Sequence, residues 1–432
     1  MIWMQGFPEK IIQHLQRSKT TAMRKIFFVG GLLFLSQAII AQTIAKFRIS
    51  LDKPSNGLVV PASIDLDQLS FQSDTSLVLI QVDGNIRTPI PFQIQQDQHR
   101  TLHWNIAPSE KKEISYELVN STAQNFPAVR SLKNDSSITI AQNGQNLLRY
   151  YHAKVDPPKG QHPYYARSGF IHPLWTPRGQ ELTRIQAPDH YHHYGVWNAW
   201  THVLFEKDTV DFWNIRGHQG TVRFAKLISK TEGSVFSEFE ALQEHVVFKK
   251  DGSEKVALNE LLTVRVYPQV NNEYYIVDIT SKMNCATDSP FRILEYRYAG
   301  FGWRTTAYWD NKNCEVLTSE GKTRKDTDNS RAKWCIVQGD LPGNEYGGAA
   351  FLSHPANFNF PEPMRIWTLN TNGRGDMFFS FAPTKDRDWL LEPGKTYVIK
   401  YRLVVFNGKF DAAKAETAWQ YFQKGPAIKL LK

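Results

Sequence analysis

Short runs of alternating apolar and polar residues, separated by turn-forming residues, fill the chain from about residue 45 to residue 118. One run, Leu77–Val82, ends at the turn-forming residues Asp83-Gly84-Asn85. Successive side chains of a β-strand point to opposite faces, so this alternation predicts strands with one buried face. Several such strands with turns between them are typical of an antiparallel sandwich. Residues 43–119 are therefore predicted to form a small N-terminal β-sandwich domain.

A second series of strands is predicted from residue 138 onward. It follows a stretch rich in Ser, Asn and Ala, residues 120–137, which is predicted to be a linker. Asn143-Gly144 separates two apolar runs, and both residues tolerate the positive φ of a tight hairpin turn. A longer hairpin is predicted around Asn271-Asn272, because alternation with period two continues on both sides. Residues 138–432 are therefore predicted to form a large antiparallel β-sandwich.

Only the C-terminal tail has the periodicity of a helix. Asp411 is a good N-cap, and Ala415 and Trp419 follow it on one helical face. Gly425-Pro426 ends the run. The predicted fold class is thus mainly β, with a C-terminal helix packed against the large sandwich.

The first 41 residues have the features of an export signal. A basic pair, Arg24-Lys25, precedes an apolar segment and a run of small residues that ends at Ala41. We predict that residues 23–41 are a cleaved signal peptide and that residues 1–22 are a non-native upstream extension. The apolar segment is short and interrupted by glycines, so no stable membrane insertion is predicted. The predicted location is the periplasm or the cell exterior.

The charge of the chain gives little support to nucleic-acid binding. The formal net charge is +9, and residues 1–41 hold five basic residues and one acidic residue, which leaves about +5 on the rest. This mild charge is not gathered into blocks, so no nucleic-acid partner is predicted. Motifs for phosphate loops, dinucleotide-binding loops and nucleophile elbows are also absent from the sequence.

The three cysteines do not indicate a metal or disulfide framework. Cys285, Cys314 and Cys335 lack the paired spacing of a zinc ribbon. One disulfide among them is possible after export, and it would leave one free thiol.

The densest candidate chemistry lies in the middle of the chain. Eight of the thirteen histidines fall within residues 152–218. In a regular strand His190 and His192 project from one face, and Asp189 and His193 project from the other. Imidazole transfers protons near neutral pH, and an adjacent carboxylate can orient it and raise its basicity. The predicted catalytic residues are Asp189, His190, His192, His193 and His172.

A metal site is an alternative use of the same histidines. Two imidazoles two residues apart on one face, His190 and His192, can share a divalent metal ion. A third ligand has to come from a distant segment. The candidates for it are His172, His218, Asp211 and Glu244. The sequence alone therefore does not decide whether the protein uses a divalent metal ion as cofactor.

Aromatic and cationic residues around this centre are candidates for sugar binding. Rings of Trp and Tyr stack on the apolar faces of sugars, and Arg binds carboxylate or hydroxyl groups with two donors. Gly300 and Gly302 before Arg304, and Gly321 before Lys322, can loosen the turns that bring these cations to a site. The predicted substrate-binding residues are Arg167, Trp175, Arg184, Trp197, Asp211, Trp213, Glu244, Arg304 and Lys322.

Five short motifs lie between residue 165 and residue 357. They are Tyr-x-Arg with His-Pro-Leu-x-Thr-Pro-x-Gly in residues 165–179, Pro-Asp-His-x-His-His-x-Gly-x-Trp in 188–197, Asp-Phe-Trp in 211–213, Gly-x-x-x-Arg in 300–304 and His-Pro-x-Asn in 354–357. With these motifs the chain resembles a bacterial family labelled "methane oxygenase PmoA-like", from about residue 138 to the C-terminal helix. Two positions depart from the family pattern. Tyr194 stands after the pair His192-His193, where the family has Arg. Asn214 stands after Asp-Phe-Trp, where the family often has His.

The resemblance implies glycan breakdown rather than oxygenase chemistry. The oxygenase subunit behind the label is a multi-helix membrane protein, and the sequence after residue 41 has no segment apolar enough to span a membrane. A large antiparallel sandwich is similar to the mutarotase-like supersandwich of sugar epimerases and polysaccharide lyases. The leading hypothesis is an exported hydrolase or lyase acting on a glycoside or uronide through histidine acid/base chemistry. The alternatives are a non-catalytic glycan-binding protein and a His-ligated metal-dependent oxidase or metal-binding protein.

Overall fold

The computed structural model describes residues 42–122 and 124–431, and most of their regular elements are β-strands. The predicted upstream extension and signal peptide lie outside the described residues. The first strands are β1 Gln42–Ser50, β2 Val60–Asp65, β3 Leu77–Asp83, β4 Ile86–Pro89, β5 Phe92–Gln96, β6 Arg100–Ile106 and β7 Glu113–Asn120.

The later elements follow from residue 130 to residue 431. They are β8 Arg130–Lys133, β9 Ser137–Gln142, β10 Gln145–Tyr151, β11 Phe170–Leu174, β12 Ile185–Ala187, β13 His190–Tyr194, β14 Val196–Ala199, β15 Val203–Phe205, β16 Asp208–Val210, β17 Gly220–Thr231, β18 Ser237–Phe248, β19 Glu254–Val266, β20 Tyr274–Cys285, β21 Phe291–Ile293, β22 Gly300–Arg304, β23 Cys314–Thr318, β24 Trp334–Leu341, β25 Glu345–Ser353, β26 Met364–Ile366, β27 Phe378–Phe381, β28 Trp389–Leu391, β29 Tyr397–Asn407, α1 Ala412–Gln423 and β30 Ala427–Leu431. Short 3-10 helices span Leu66–Gln68, Asp74–Ser76, Pro163–Tyr165, Ile215–Gly217, Pro342–Asn344 and Thr371–Gly373.

The N-terminal strands form a small sandwich of two sheets. One sheet has the order β30-β1-β7-β3-β4 and the other has the order β2-β6-β5. Phe47, Trp104 and Tyr116 pack between them as part of one buried cluster. The predicted N-terminal β-sandwich is confirmed, and the structure adds to it a strand from the far end of the chain, β30.

Two eight-stranded antiparallel sheets form the large sandwich. The first sheet has the order β26-β27-β22-β14-β11-β10-β9-β8, and the second has the order β17-β18-β19-β20-β29-β25-β24-β23. Phe351 of the second sheet contacts Trp303 and Phe379 of the first, with ring centroids 4.8 and 4.9 Å apart. The inner faces share one buried core. The predicted mainly β fold with a large antiparallel sandwich is therefore confirmed.

The predicted hairpins and helix are present. Asn143 and Gly144 have φ of 50° and 81° in the turn between β9 and β10, and Asn271 and Asn272 have φ of 51° and 55° between β19 and β20. Asp411 caps α1, since its side chain accepts a hydrogen bond from the backbone N–H of Lys414 at 2.8 Å. No helix among the described residues has the length and apolarity needed to cross a membrane.

Two details differ from the sequence analysis. Residues 130–133 of the stretch predicted as a linker form strand β8, which pairs with β9 at the edge of the first large sheet. All three cysteines are free thiols. The disulfide considered from the sequence is therefore not formed in this structure.

The first large sheet has an outer face that carries the functional residues. Phe379 points to the inner core, so its neighbour Phe378 points outward, because strand side chains alternate. Phe378 and Trp197 contact His193 there, with ring centroids 5.0 and 5.2 Å away. The β26-β27-β22-β14 end of this sheet therefore supports the histidine strand β13.

Gly195 turns the chain from β13 into β14. Its φ of 57° lies in the left-handed region, and a Cβ at this position would lie 2.1 Å from the carbonyl oxygen of Ile171. Glycine is the residue that meets both requirements without a clash. This kink joins the short β12–β13 hairpin to the first large sheet.

Candidate active site

A cavity of about 320 Å³ opens on the outer face of the first large sheet. Its walls come from β13, the loop after β16, the loop before β22 and the region from β26 to β27. The lining residues are His190, His192, His193, Trp213, Asn214, Arg297, Tyr298, Arg365, Trp367, Thr371 and Phe378. The fold thus brings residues that are far apart in the sequence, from His190 to Phe378, to the same cavity.

β13 places three imidazole rings in mutual contact. The ring centroid of His193 lies 4.6 Å from that of His190 and 4.6 Å from that of His192, and the last two are 5.3 Å apart. The expected separation of His193 from the other two is wrong for this strand. The reason is local, because β13 begins only at His190 and its pairing with β12 is short and irregular.

Asp189 orients His190 through a short hydrogen bond. Nδ1 of His190 lies 2.7 Å from Oδ2 of Asp189. Burial opposes the ionisation of Asp189, but the hydrogen bond from His190 and the charge of Arg304 hold its pKa well below the usual range. Because an ionised carboxylate only accepts hydrogen bonds, the proton of the neutral imidazole resides on Nδ1. The lone pair on Nε2 is then available as a base in the cavity.

The other two histidines of β13 stay neutral. Burial lowers the pKa of His192 to about 3, and the neighbouring His190 and Arg167 act in the same direction. Burial also holds the pKa of His193 well below its ordinary value, and its Nδ1 is buried without a hydrogen-bond partner among the described residues. At neutral pH both rings therefore offer hydrogen-bonding groups rather than fixed charge.

Arg304 anchors the carboxylate that orients His190. Its Nη2 lies 3.1 Å from both oxygens of Asp189 and 2.7 Å from Oδ2 of Asp376. The guanidinium is buried, and its central carbon lies 4.4 Å from the ring centroid of Trp367. Desolvation lowers the pKa of Arg304 to about 10, so the group stays charged at neutral pH. The predicted approach of Arg304 to the histidine centre is thus seen, but Arg304 contacts Asp189 rather than lining the cavity.

Two more arginines complete this ion network. Nη2 of Arg184 lies 2.6 Å from Oδ2 of Asp376. Nη2 of Arg374 lies 2.9 Å from Asp189 and 3.3 Å from Asp376, and this side chain is half exposed. Asp189 and Asp376 are therefore shared among three guanidinium groups, which restricts how Asp189 can move.

Aromatic rings form one side of the cavity. Trp213 packs on Trp197 with ring centroids 4.9 Å apart, and Trp367 lies 4.9 Å from the ring of His190. Trp213 and Trp367 line the cavity but are largely buried, 1% and 5% exposed, and Trp197 is buried next to them. A Cβ at Gly302 would lie 2.8 Å from the Trp213 ring, so a glycine here leaves room for the indole. Flat apolar faces of this kind stack on sugar rings.

Asp211 holds the turn that carries Trp213. Its Oδ1 accepts hydrogen bonds from the backbone N–H groups of Trp213 and Asn214, both at 2.8 Å. Asn214 in turn donates to the hydroxyl of Tyr298 at 2.8 Å. Burial raises the pKa of Tyr298 to about 12, so this hydroxyl keeps its proton at neutral pH. Asp211 therefore positions the cavity wall, and Tyr298 supplies a proton donor within it.

The cavity carries cations and no lining carboxylate. Arg365 forms an ion pair with Asp328. Arg297 is exposed, with its guanidinium carbon 5.4 Å from the ring centroid of Tyr298, and it has no carboxylate partner among the described residues. None of the described residues that line the cavity is Asp or Glu. The arrangement suits a ligand with a negative group.

Several residues predicted for the site lie elsewhere. His172 is hydrogen-bonded to Oγ1 of Thr183 at 2.9 Å, Glu244 pairs with Arg223 at 3.1 Å, and Nζ of Lys322 lies 3.5 Å from the carbonyl oxygen of Asp326. The guanidinium carbon of Arg149 lies 5.5 Å from the ring centroid of Trp175. Arg167 is buried next to β14, with Nη2 3.5 Å from the Asn198 carbonyl oxygen. None of these five predicted residues lines the cavity.

Sequence analysis missed four residues that matter for the site. Arg297 and Tyr298 lie just before the Gly-x-x-x-Arg motif, separated from it by Ala299, and this proximity is the one signal that could have found them. Trp367 and Asp376 belong to no motif. They reach the site only because β26 and β27 pair beside β22.

The described residues provide no ready metal site. In residues 42–122 and 124–431, no group of three or more His, Cys, Asp or Glu side chains is placed to hold a metal ion. His190 and His192 lie together, but the four side chains considered as a third ligand have other partners. His172 bonds Thr183, Asp211 caps the Trp213 turn, Glu244 pairs with Arg223, and His218 stacks between Tyr164 and Phe248.

A family model described as a family of unknown function, DUF6807, matches residues 137–420. This range contains every residue that lines the cavity. No curated protein matches the chain. The relation to the PmoA-like family stays a prediction.

Solved structures with detectable likeness include two carbohydrate enzymes. An alpha-mannosidase from Enterococcus faecalis V583 is 8% identical with a TM-score of 0.42, over 91% of this chain and 47% of that one. Heparan sulfate lyase HepC from Pedobacter heparinus is 10% identical with a TM-score of 0.32, over 68% of this chain and 38% of that one. The chain thus spans less than half the length of either. At these TM-scores the likenesses carry no argument about the chemistry of the cavity.

Proposed function

The chain belongs to DUF6807, a family of unknown function, and we propose from its cavity that it is a lyase-type enzyme acting on an acidic carbohydrate, a uronide, with His190 as the base.

The contact between Asp189 and His190 carries this proposal. Their hydrogen bond of 2.7 Å fixes the imidazole tautomer, and the ring lines the cavity. A base held in this way contributes about 100-fold to 10,000-fold to the rate of a proton transfer. The ionised Asp189 also stabilises the imidazolium that forms when His190 takes a proton.

The lining suggests the class of substrate. Arg297 is a free cation at the cavity, and the largely buried indoles of Trp213 and Trp367 add apolar surface to its wall. A sugar ring that stacks on an indole and carries a carboxylate fits both features. Neutralising this carboxylate makes the hydrogen on the adjacent carbon more acidic, because the developing charge spreads into the carboxyl group.

The proposed reaction is a β-elimination in which one residue of the cavity removes a proton and another donates one. Nε2 of His190 removes the hydrogen from the carbon next to the substrate carboxylate. The freed electron pair forms a carbon–carbon double bond, and the bond from the neighbouring carbon to the glycosidic oxygen breaks. The departing oxygen takes a proton from the hydroxyl of Tyr298, whose pKa of about 12 keeps it protonated beforehand. Proton exchange with water then restores His190 and Tyr298.

Glycoside hydrolysis is the less supported reaction for this cavity. Hydrolases of the common kind need two carboxyl groups on either side of the bond, roughly 5 to 10 Å apart. The described lining residues include no carboxylate, and Asp189 and Asp211 are both held by other groups. An elimination on an acidic sugar instead uses groups that line the cavity, namely His190 as base, Tyr298 as proton donor and Arg297 as partner of the substrate carboxylate.

The test is product analysis on a panel of uronic-acid oligosaccharides and neutral oligosaccharides. We expect unsaturated products, detected by the ultraviolet absorbance of the new conjugated double bond, from acidic substrates only. Arg297→Ala should raise KM about 10-fold for acidic substrates, because it removes one charged contact. The matched control is Arg387→Ala, a half-exposed arginine that does not line the cavity.

Two outcomes would overturn the proposal. Saturated products with a new reducing end would indicate a hydrolase. Binding of acidic sugars without any product would indicate a glycan-binding protein.

A further inference from the structure

We propose that a second groove, of about 510 Å³, is a subsite that binds an acidic sugar unit of the same substrate outside the catalytic cavity. The substrate class in this inference rests on the proposed function. The residues that carry it are Lys154, Tyr164, Arg167, His218, Arg223 and Phe248.

A ladder of stacked rings forms one wall of the groove. The ring of His218 lies 3.7 Å from that of Tyr164 and 4.5 Å from that of Phe248, with interplanar angles of 16° and 18°. His162 extends the ladder, with its ring centroid 3.8 Å from that of Tyr164. Tyr164 is still 40% exposed. Because the rings of His162 and His218 cover its faces, it presents its ring edge and its hydroxyl to a ligand, and the hydroxyl can donate and accept hydrogen bonds with a sugar.

The inner wall of the groove holds a buried cation, Arg167, two of whose nitrogens have no hydrogen-bond partner among the described residues. Arg167 is 1% exposed, and its Nε and Nη1 have no hydrogen-bond partner among the described residues. Burial lowers the pKa of Arg167 to about 10, so it is charged at neutral pH. The neighbouring carboxylate of Glu260 is occupied by His245, Asn198 and Ser281. A buried charge without hydrogen bonds is costly, and an anionic group in the groove lowers this cost.

The lining of the groove has an excess of positive charge. Lys154 is exposed, and Arg223 lies at the same groove. Glu254 is the one carboxylate among the described lining residues, and it lies 2.6 Å from Nη1 of Arg223. Lys154 and Arg167 are therefore left to attract an anionic ligand.

Two segments join the groove to the catalytic cavity. The 3-10 helix Ile215–Gly217 connects Asn214, which lines the cavity, to His218, which lines the groove. Tyr165, next to Tyr164, packs against Tyr191 of β13 with ring centroids 5.5 Å apart. The two openings are thus neighbours, and an oligosaccharide longer than the cavity has a second set of rings and cations to bind.

Calorimetry of oligosaccharide binding tests this inference. We would use the His190→Ala protein, so that substrates stay intact, and titrate a uronic-acid hexasaccharide, a sulfated neutral hexasaccharide and an uncharged hexasaccharide. Adding Tyr164→Ala should weaken binding of the anionic hexasaccharides about 3-fold to 10-fold. Lys154→Ala should weaken the same binding and reduce its dependence on salt. The uronate and sulfate arms show which anionic group the groove accepts.

A matched substitution and a short ligand serve as controls. Tyr308→Ala removes a tyrosine that is 48% exposed and lines neither opening, so it should leave affinity unchanged. A uronic-acid disaccharide that fits the cavity alone should bind the Tyr164→Ala protein as tightly as its parent.

The outcomes separate the two proposals. Unchanged hexasaccharide affinity in both Tyr164→Ala and Lys154→Ala overturns the subsite, even if the native protein forms unsaturated products. Weakened binding of the uncharged hexasaccharide alone overturns the assignment of an acidic ligand. Weakened binding of anionic hexasaccharides supports the subsite, even if the native protein shows no turnover and the proposed function fails.

Discussion

The large sandwich contains two hydrogen-bonded pairs of a carboxylate and a histidine, and they lie in different surroundings. Asp189 and His190 stand at the edge of a cavity, 2.7 Å apart. Glu260 and His245 lie 2.9 Å apart on neighbouring strands of the second sheet, fully buried. Asn198 from the first sheet also binds Glu260, at 2.9 Å. The two pairs share their chemistry but not their access to a ligand.

The difference shows that such a pair does not by itself mark an active site. Burial opposes the ionisation of Glu260, but the hydrogen bond and charge of His245 and the hydrogen bonds from Asn198 and Ser281 together outweigh it and lower the pKa of Glu260. Nδ1 of His245 is buried without a partner among the described residues, so this ring has no route for proton exchange with a substrate. The buried pair ties the two sheets together, whereas the cavity pair can act on what enters.

The largest expected effect is on catalysis, from the cavity pair. His190→Ala should lower kcat about 100-fold to 10,000-fold, because it removes the proposed base. Its melting temperature should stay close to that of the native protein, since the ring is only partly buried. Initial rates of product formation and a thermal melt measure both effects. A variant that retains more than a tenth of kcat would remove His190 from the mechanism.

The buried pair should show the opposite pattern. His245→Ala breaks a fully buried pair and leaves Glu260 with only Asn198 and Ser281 as hydrogen-bond partners, and breaking a buried pair typically costs about 3 to 5 kcal/mol. Urea unfolding should therefore show a large loss in the free energy of unfolding, while kcat per folded molecule stays near the native value. A normal stability with lost activity would mean that the comparison between the two pairs is mistaken.

A third carboxylate shows how burial acts without a histidine partner. Glu362 is fully buried and bound by Ser353, Asn357 and Tyr401. Burial outweighs these hydrogen bonds and raises its pKa from 4.5 to about 7. Between these values the folded state binds a proton that the unfolded state has lost. This contribution to stability is thus full below about pH 4.5 and is lost as the pH rises through 7.

The matching experiment compares native protein with Glu362→Gln across this pH range. The native protein should lose up to about 3 kcal/mol of unfolding free energy between pH 4.5 and 7 from this group. The variant should lack that component, because its amide does not titrate. Chemical denaturation at several pH values measures the slope. Equal slopes in both proteins would contradict the role of Glu362.

Sequence analysis identified local features of this molecule better than distant ones. Asn143-Gly144 predicted its hairpin, because both residues accept the required φ. The sequence left two partners open for Asp189, namely His190 and His193, and the structure pairs it with its chain neighbour His190. Glu244, however, was predicted to bind substrate or a distant metal ion, and no pattern along the chain shows which side chains meet it across the sheet. The structure pairs Glu244 with Arg223 and leaves His245 to Glu260 on the next strand.

The remaining misses are long-range. Asp376 binds Arg304 only because β27 pairs with β22, and no pattern along the chain specifies this pairing. The pairing of β30 with β1 joins the two ends of the described chain in the same way. Strand order in an antiparallel sandwich follows from packing of the whole core, so a single sequence does not specify which distant residues meet at the site.

The smallest expected effect tests the rim of the ion network around the cavity pair. Arg374→Ala removes a half-exposed guanidinium that contacts Asp189 and Asp376, while Arg304 and Arg184 remain. Exposed ion pairs contribute little, so kcat/KM should fall less than about 5-fold. The difference in kcat/KM between the variant and the native protein should become smaller at high salt, because salt screens exposed charges in the native protein. A loss as large as that of His190→Ala would show that Asp189 is held mainly from the solvent side, whereas the expected small loss places its anchoring in the buried Arg304.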